Sequence, residues 1–532
     1  MPIRAFIFLA NLLTTIVLTR GILLAHSLAT SVDYLCVMQV RRRKPSTRHG
    51  AMAMAGWTII GLLALCHSSL AGYTKFPEGF TFGVATASHQ IEGAWNMIAD
   101  GTNGDIACES YYRYQEDVQE LAYLGVDFYR FSLSWARILP TGRPDFVNPD
   151  GIRYYNDLLN ALAEQEIEPL VTLFHWDLPQ TLQDLGGWAN PKMIDYFRDY
   201  ADLCFREFGD RIKSWITFNE PYEICEDAYG DDKKAPAIDS HGVGNYLCSD
   251  TLLKAHAEAY HLYNASYRST QNGRIMISIN SIWYEPSNPD DPEQVALAEV
   301  ANQFKFGWFA HPIFTEEGGY PAVMVENVAH QSDAEGIPSP RLEQFDEYWI
   351  QRIKGTSDFL GINHYTTHLI TGAGVDPIAK SPSWLKDIGA VVPTGFANLL
   401  RWCKSSYNDP PIYITENGFS DRGTLEDYGR IHERFGFWYV NITDPARPRT
   451  PKLSVEYFRQ LIADHELPQD SRKLLHLYRN KHVLRPYPLH NHKIRTPAIP
   501  YKSFMGRVFF LRITSMISNK DSGSNKFYSF AL

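Results

Sequence analysis

The chain has 532 residues, enough for one large barrel or two to three ordinary domains. Its 45% hydrophobic and 21% charged residues are those of a globular protein, and a net charge of −10 argues against a nucleic-acid partner. Seven cysteines over this length do not make a disulfide scaffold; no Cys/His cluster has zinc spacing, and no GxGxxG, Walker-type loop or HExxH occurs, so neither a metal nor a cofactor is expected.

Residues 1–72 read as an extension distinct from the rest of the chain. Ala5–Thr19 is uncharged and mostly apolar, Arg41-Arg42-Arg43-Lys44 is basic, and Trp57–Leu65 is an apolar run too short to span a bilayer comfortably. Ser69-Leu70-Ala71 has the small residues of a signal-peptidase site, so the expectation is secretion with cleavage near Ala71. The rival reading is an uncleaved anchor, which would hold the remainder on a membrane. Met52 and Met54 offer alternative starts just before the second apolar run. The sequons Asn264-Ala265-Ser266 and Asn441-Ile442-Thr443 fit a secretory route. In an oxidising compartment Cys225 and Cys248 can pair; two unpaired buried thiols is the other reading.

From Phe76 onward, short β-rich runs alternate with helical patterns. The runs are Phe80–Ala87, Phe128–Trp135, Pro169–Trp176, Trp215–Asn219, Ile275–Ile282, Asp358–Tyr365 and Ile412–Glu416. Between them, Ile194, Phe197, Ala201, Cys204 and Phe208 recur at helical spacing before Gly209, and Val118, Leu121 and Ala122 do so before Gly125. Strict alternation gives a parallel sheet, and seven units in a chain of this size favour a closed (β/α)8 TIM barrel over an open seven-stranded sheet.

In such a barrel, catalytic groups gather at the C-terminal ends of the strands. Two of these runs end in an acid: Thr217-Phe218-Asn219-Glu220-Pro221, and Ile414-Thr415-Glu416-Asn417-Gly418, about 200 residues later. Gln90, Arg130, His175, Trp176, Asn363 and Tyr365 lie near the other strand ends. Two carboxylates with amide, imidazole, phenol and indole groups on one face suit a polyhydroxylated ligand, and they suit cleavage of a glycosidic bond. One acid protonates the leaving oxygen, while the other faces the anomeric carbon; about 5 Å between them gives retention, and a wider gap admits water and inverts.

These two stretches, with Phe82–Gly93, Tyr129-Arg130-Phe131-Ser132 and Phe174-His175-Trp176-Asp177-Leu178-Pro179, resemble glycoside hydrolase family 1 over roughly Phe76 to Ile462. The wording is closest to secreted insect β-glucosidases and lactase-phlorizin hydrolase-like proteins. The resemblance implies that Glu220 is the general acid/base and Glu416 the nucleophile of a retaining double displacement. Arg130 and Tyr365 would support the nucleophile. Gln90, His175 and Asn219 would bind sugar hydroxyls, with Trp176 and Asn363 at the same pocket and Trp384 in the aglycone region. The implied substrate is a small β-glycoside or oligosaccharide with a terminal glucosyl, galactosyl or fucosyl residue. Two other readings remain: an inactive glycan- or partner-binding relative, and an animal thioglucosidase. The plant thioglucosidases replace the acid/base Glu with Gln, whereas Glu220 is present here.

Three departures from the family pattern matter. A loop after Asn96 is shortened. Arg430-Ile431-His432 runs directly into Glu433–Val440, so the Trp-Ser-Leu segment expected to carry the eighth strand is missing. A barrel without that strand leaves two unpaired edges, which implies low stability and weak activity. From Asp470 the chain is rich in Lys, Arg and His and shows no family match. The expected organisation is thus an extension over 1–72, a barrel over 73–465 and a basic tail of unknown role over 466–532.

Overall fold

The computed structural model of the chain describes residues 75–93, 107–370, 372, 397–408, 410–418, 436–441, 444–466 and 526–531. The extension over 1–72, the shortened loop after Asn96 and Trp384 lie outside the described residues.

The strands are β1 (Phe80–Ala85), β2 (Phe128–Ser132), β3 (Glu168–Phe174), β4 (Ser214–Asn219), β5 (Arg274–Pro286), β6 (Phe359–Ile370) and β7 (Ile412–Glu416). Each overlaps one of the seven expected runs. They pair in parallel with neighbours in sequence order, and the sheet closes into a (β/α)8 TIM barrel. β5 and β6 run past their expected ends because they extend each other, up to the pair Pro286↔Ile370. A small antiparallel pair, β8 (Trp438–Val440) with β9 (Arg449–Pro451), stands apart from the barrel sheet.

The gap between β7 and β1 is filled from an unexpected place. β10 (Lys526–Ala531) runs parallel to β1 over six residue pairs, from Phe80↔Lys526 to Ala85↔Ala531, and meets β7 at Tyr528↔Ile414. The missing-strand expectation is thereby corrected: the family's own segment is absent, yet the barrel has eight strands. The tail over 466–532 is revised in the same way, since its last residues belong to the sheet. The physical reason is that the facing edges of β1 and β7 offer unpaired N–H and C=O groups, which any β-capable segment of the chain can satisfy.

Helices pack outside this wall. In α1 (Ser110–Leu124), Val118, Leu121 and Leu124 are buried, and Gly125 ends the helix at φ +79, donating to Leu121 O at 3.1 Å. In α2 (Met193–Phe208), the expected spacing buries Phe197, Ala201, Cys204 and Phe208. Phe197 stacks on Phe218 of β4 at 4.3 Å, which fixes β4 against the helix layer. After β4, α3 (Pro221–Tyr229) and α4 (Gly244–Ser266) are joined by the disulfide Cys225–Cys248, 23 residues apart with 5.3 Å between Cα atoms. The pairing reading of those two cysteines is the one the structure has. Closing a loop of that length constrains the unfolded chain by about 3 kcal/mol.

The barrel interior is layered by the two-residue period of its strands. Phe128, Leu170, Ile216, Met276, Phe359 and Tyr413, one from each of β2 to β7, form an apolar plug of their own. Gly83 of β1 makes room for it: a Cβ there would lie 2.4 Å from the Phe128 ring. Two residues further along, the interior turns polar.

If β10 is a true stave, deleting residues 525–532 removes the ladder on β1. At about 0.5–1.5 kcal/mol net per hydrogen bond, the loss is on the order of 3 kcal/mol. Urea denaturation of the truncated and full chains reads it directly; an unchanged midpoint would show that β10 does not hold the barrel.

Candidate active site

One step above the plug, the same parity places Arg130, Thr172, Ser278 and Thr415 inside the barrel, all buried. Register shifts then re-aim the strand ends, one in the β4–β5 pairing between Ile216 and Asn219, another in β6–β7 between Ile362 and Asn363. The first shift turns Asn219 onto the guanidinium and the second brings Glu416 to it, while Asn363 keeps the inward parity of Phe359.

Arg130 is 1% exposed and directs its donors to five partners. Its Nε donates to Thr172 Oγ1 at 3.2 Å and its Nη2 to Asn219 Oδ1 at 2.6 Å. Its Nη1 donates to Glu416 Oε1 at 2.7 Å, to Thr415 O at 2.9 Å and to Asn363 Oδ1 at 3.4 Å. The other Glu416 oxygen accepts from the Tyr365 hydroxyl at 2.6 Å. Glu416 therefore sits between a cation and a phenol, with the Arg130 ion pair bringing together residues 286 positions apart.

Glu220 stands in a different field. It is 7% exposed, caps the N-terminus of α3 at φ 52, and its backbone N–H is held by Ser278 O at 2.8 Å. Its Oε1 accepts from Asn363 Nδ2 at 2.9 Å, and the same amide nitrogen reaches Asn219 Oδ1 at 2.9 Å. Asn363 thus ties the two acids together: its nitrogen faces Glu220, while its oxygen takes Arg130, Ser278 Oγ at 2.8 Å and Thr415 Oγ1 at 2.7 Å. Burial, then the neighbouring charges of Glu416 and Glu223, push the Glu220 carboxyl above the usual carboxylate range; Lys234 and the Asn363 hydrogen bond act the other way without winning. A buried acid beside two anions holds its proton.

His175 and Trp176 follow β3. The His175 ring exchanges a hydrogen bond of 2.9 Å with Asn219 Nδ2. Burial and Arg130 hold it well below the usual imidazole range, so it is neutral. With Nε2 accepting from the amide, the proton is on Nδ1, which is buried and has no partner among the described residues. Trp176 takes φ +78, its Nε1 donating to Asn219 O at 3.0 Å. Two neighbouring strand ends, Trp176 and Glu220, are therefore in the left-handed region without being glycine, a cost that packed structure around a site sustains.

Of the sequence-expected residues, Glu220, Glu416, Arg130, Tyr365, His175, Trp176, Asn219 and Asn363 come together here. Gln90, in the short helix Ser88–Ile91, is exposed and makes no contact with this network among the described hydrogen bonds. Trp384 lies outside the described residues. Sequence reasoning missed Thr172, Ser278 and Thr415, which the parity of Arg130 within its strand would have found. It also missed Glu223, Asn280, Lys234 and Lys305. Among the described residues no group of His, Cys, Asp and Glu could hold a metal ion.

Two carboxylates and their amides at the C-terminal mouth of a parallel barrel define a hydrolase of the glycosidase class. The model for glycosyl hydrolase family 1 matches residues 72–434. The chain is 40% identical over 461 residues to Myrosinase 1 of Brevicoryne brassicae, covering 73% of this chain and 98% of that protein. It is 36% identical over 468 residues to the cytosolic beta-glucosidase of Homo sapiens, covering 74% and 99%. The solved aphid myrosinase superposes with a TM-score of 0.68 at 39% identity, over 73% of this chain and 99% of that one. The chain belongs to glycosyl hydrolase family 1, and its type is that of the β-glucosidases.

Removing Arg130 leaves Glu416 buried without its cation. R130M is expected to destabilise the fold by about 3–5 kcal/mol in urea titration. Y365F removes one hydrogen bond to a carboxylate, which is expected to cost about 1.5–3 kcal/mol of stability and to cut kcat roughly 10–100-fold. A Y365F enzyme with full kcat would remove the phenol from the account.

Proposed function

We propose that the chain hydrolyses terminal β-D-glucosyl residues, or galactosyl or fucosyl ones, from small glycosides by retaining double displacement. A Glu416 oxygen attacks the anomeric carbon as the bond to the leaving oxygen breaks, and that oxygen takes the Glu220 proton. Glu220, now a carboxylate, then removes a proton from water, which attacks the anomeric carbon and frees Glu416. The observation that carries this reading is the contrast between the two acids: Glu416 bound by Arg130 and Tyr365, Glu220 buried beside anions and bound by an amide. The Nδ1–H of His175, unpartnered among the described residues, suits a sugar hydroxyl, since a buried donor calls for an acceptor.

The hold on the outer hydroxyls is expected to be weaker than a complete family member's. Gln90 is exposed, and the family match stops at residue 434, before any eighth-strand motif. This supports a raised KM and reduced turnover. A thioglucosidase activity is the second reading, favoured by the 40% identity to Myrosinase 1. A thioglucoside and an O-glucoside with the same aglycone separate the two. The secretory route is proposed as well: the Cys225–Cys248 disulfide and the exposed sequon Asn264 support it.

In E220A, the acid is gone, so turnover of glycosides with poor leaving groups is expected to fall about 10²–10⁴-fold, while activated aryl glycosides suffer less. Added azide should restore rate and release the β-glycosyl azide. E416A should lose turnover on both substrate kinds; wild-type rates in E416A would sink the assignment, and a wild-type chain that binds glucose without turning over any glycoside would favour the binding relative.

A further inference from the structure

One turn along α3 from Glu220, the chain places a second acid that the displacement does not use. Glu223 lies in a half-buried ion cluster assembled from four separate pieces of chain. Its Oε2 accepts from Lys234 Nζ, its Oε1 accepts from Lys305 Nζ at 3.2 Å and from Asn280 Nδ2 at 2.7 Å, and Asp227 meets Lys234 at 3.2 Å. Lys305 is 2% exposed and is carried by a π-helical turn, Gln303–Gly307, with its ammonium 3.1 Å from the Tyr222 ring centre.

Lys234 also meets the site through Trp176. Its ammonium lies 4.4 Å over the Trp176 ring, and the indole of that residue donates to the carbonyl of Asn219, immediately before Glu220. The ammonium is therefore bracketed between the pocket wall and the helix that Glu220 caps. We propose that Lys234 is a positioning residue for the acid/base carboxyl: with Glu223 and Lys305 it sets the local field at Glu220, and so the pH range over which Glu220 carries its proton. The proposal rests on the acid/base reading of Glu220 for its catalytic meaning, but not for its electrostatic content.

The groups facing Glu220 come from each element packed on it. Glu416 stands on β7, Tyr365 and Asn363 on β6, and Glu223 on α3; Arg130 acts through Asn219, His175 follows β3, and Lys234 comes from the loop after α3. Of these, Glu416 and Glu223 oppose the carboxylate form of Glu220, and Lys234 favours it. Burial alone would raise the Glu223 carboxyl, but Lys305 and Lys234 outweigh burial and hold it below the usual range, with the neighbouring Asp227 carboxyl raised in turn, which favours the Glu223 anion. Removing Lys234 therefore takes away a cation and must raise the proton affinity of Glu220. Removing the Glu223 charge must lower it. A side chain that only packs would not give opposite signs at two neighbouring positions.

The test titrates Glu220 itself. Infrared difference spectra of the full chain against the same chain carrying E220Q isolate its carboxyl band across pH, and the basic limb of kcat/KM on p-nitrophenyl β-glucoside is followed in parallel. K234M is expected to raise the Glu220 midpoint by about one pH unit, E223Q to lower it, and K234R to restore it. Thermal midpoints of all variants show whether each is folded. Unchanged or same-direction shifts in folded K234M and E223Q overturn the proposal. Shifts of opposite sign in a chain that turns over no glycoside would leave the field at Glu220 established and remove the catalytic reading instead.

Discussion

A guanidinium cannot be buried without partners, and Arg130 is buried in the middle of the barrel. The cost of taking such a charge out of water is several kcal/mol, and it is offset only where every donor is met. Here the acceptors come from β3, β4, β6 and β7, so the strands must be in one register for the charge to be satisfied. The apolar plug beneath it sets that register from below, since Phe128 and Arg130 are two residues apart on one face of one strand. The interior is thus a dry layer carrying a hydrogen-bonded ionic layer, and the site is the upper surface of the second.

The two acids owe their difference to where they stand on that layer. Glu416 ends β7 directly above Thr415 and takes the cation. Glu220 is turned through a left-handed residue at the end of β4, and it receives only the amide side of Asn363. Asn363 separates them electrically while connecting them sterically: its oxygen faces Arg130 and two hydroxyls, its nitrogen faces Glu220. One amide orientation satisfies all five neighbours, and the reverse orientation would set a donor against the Arg130 guanidinium and an acceptor against the Glu220 and Asn219 oxygens. The ion cluster around Glu223 adds a compensated field on the far side of Glu220, built from the loop and helix that follow β4.

Much of this was legible in the chain. The seven strands were, because each is a β-rich run followed by a helical period, and the acids at the ends of β4 and β7 follow from that placement. The strand ends were less so: β5 and β6 continue to Pro286 and Ile370 because they pair with each other, which is a long-range outcome. The polar floor of Thr172, Ser278 and Thr415 needed the parity of each strand relative to Arg130, and the register shift within β4 disguises that parity at Asn219. Glu223, Lys234 and Lys305 have no common spacing; only folding brings them together. β10 was illegible for a simpler reason. Its place is decided by the open edges of β1 and β7, not by a pattern of its own.

The central claim is that Glu416, held by Arg130 and Tyr365, attacks the anomeric carbon while Glu220 supplies the proton. Incubation of the full chain with a 2-deoxy-2-fluoro β-glucoside bearing a good leaving group, followed by peptide mass analysis, tests it most directly. The account predicts a fluoroglycosyl ester on the peptide containing Glu416, and its absence in E416Q. A label on any other residue, or a folded chain that cleaves glycosides yet never accumulates the ester, would contradict it.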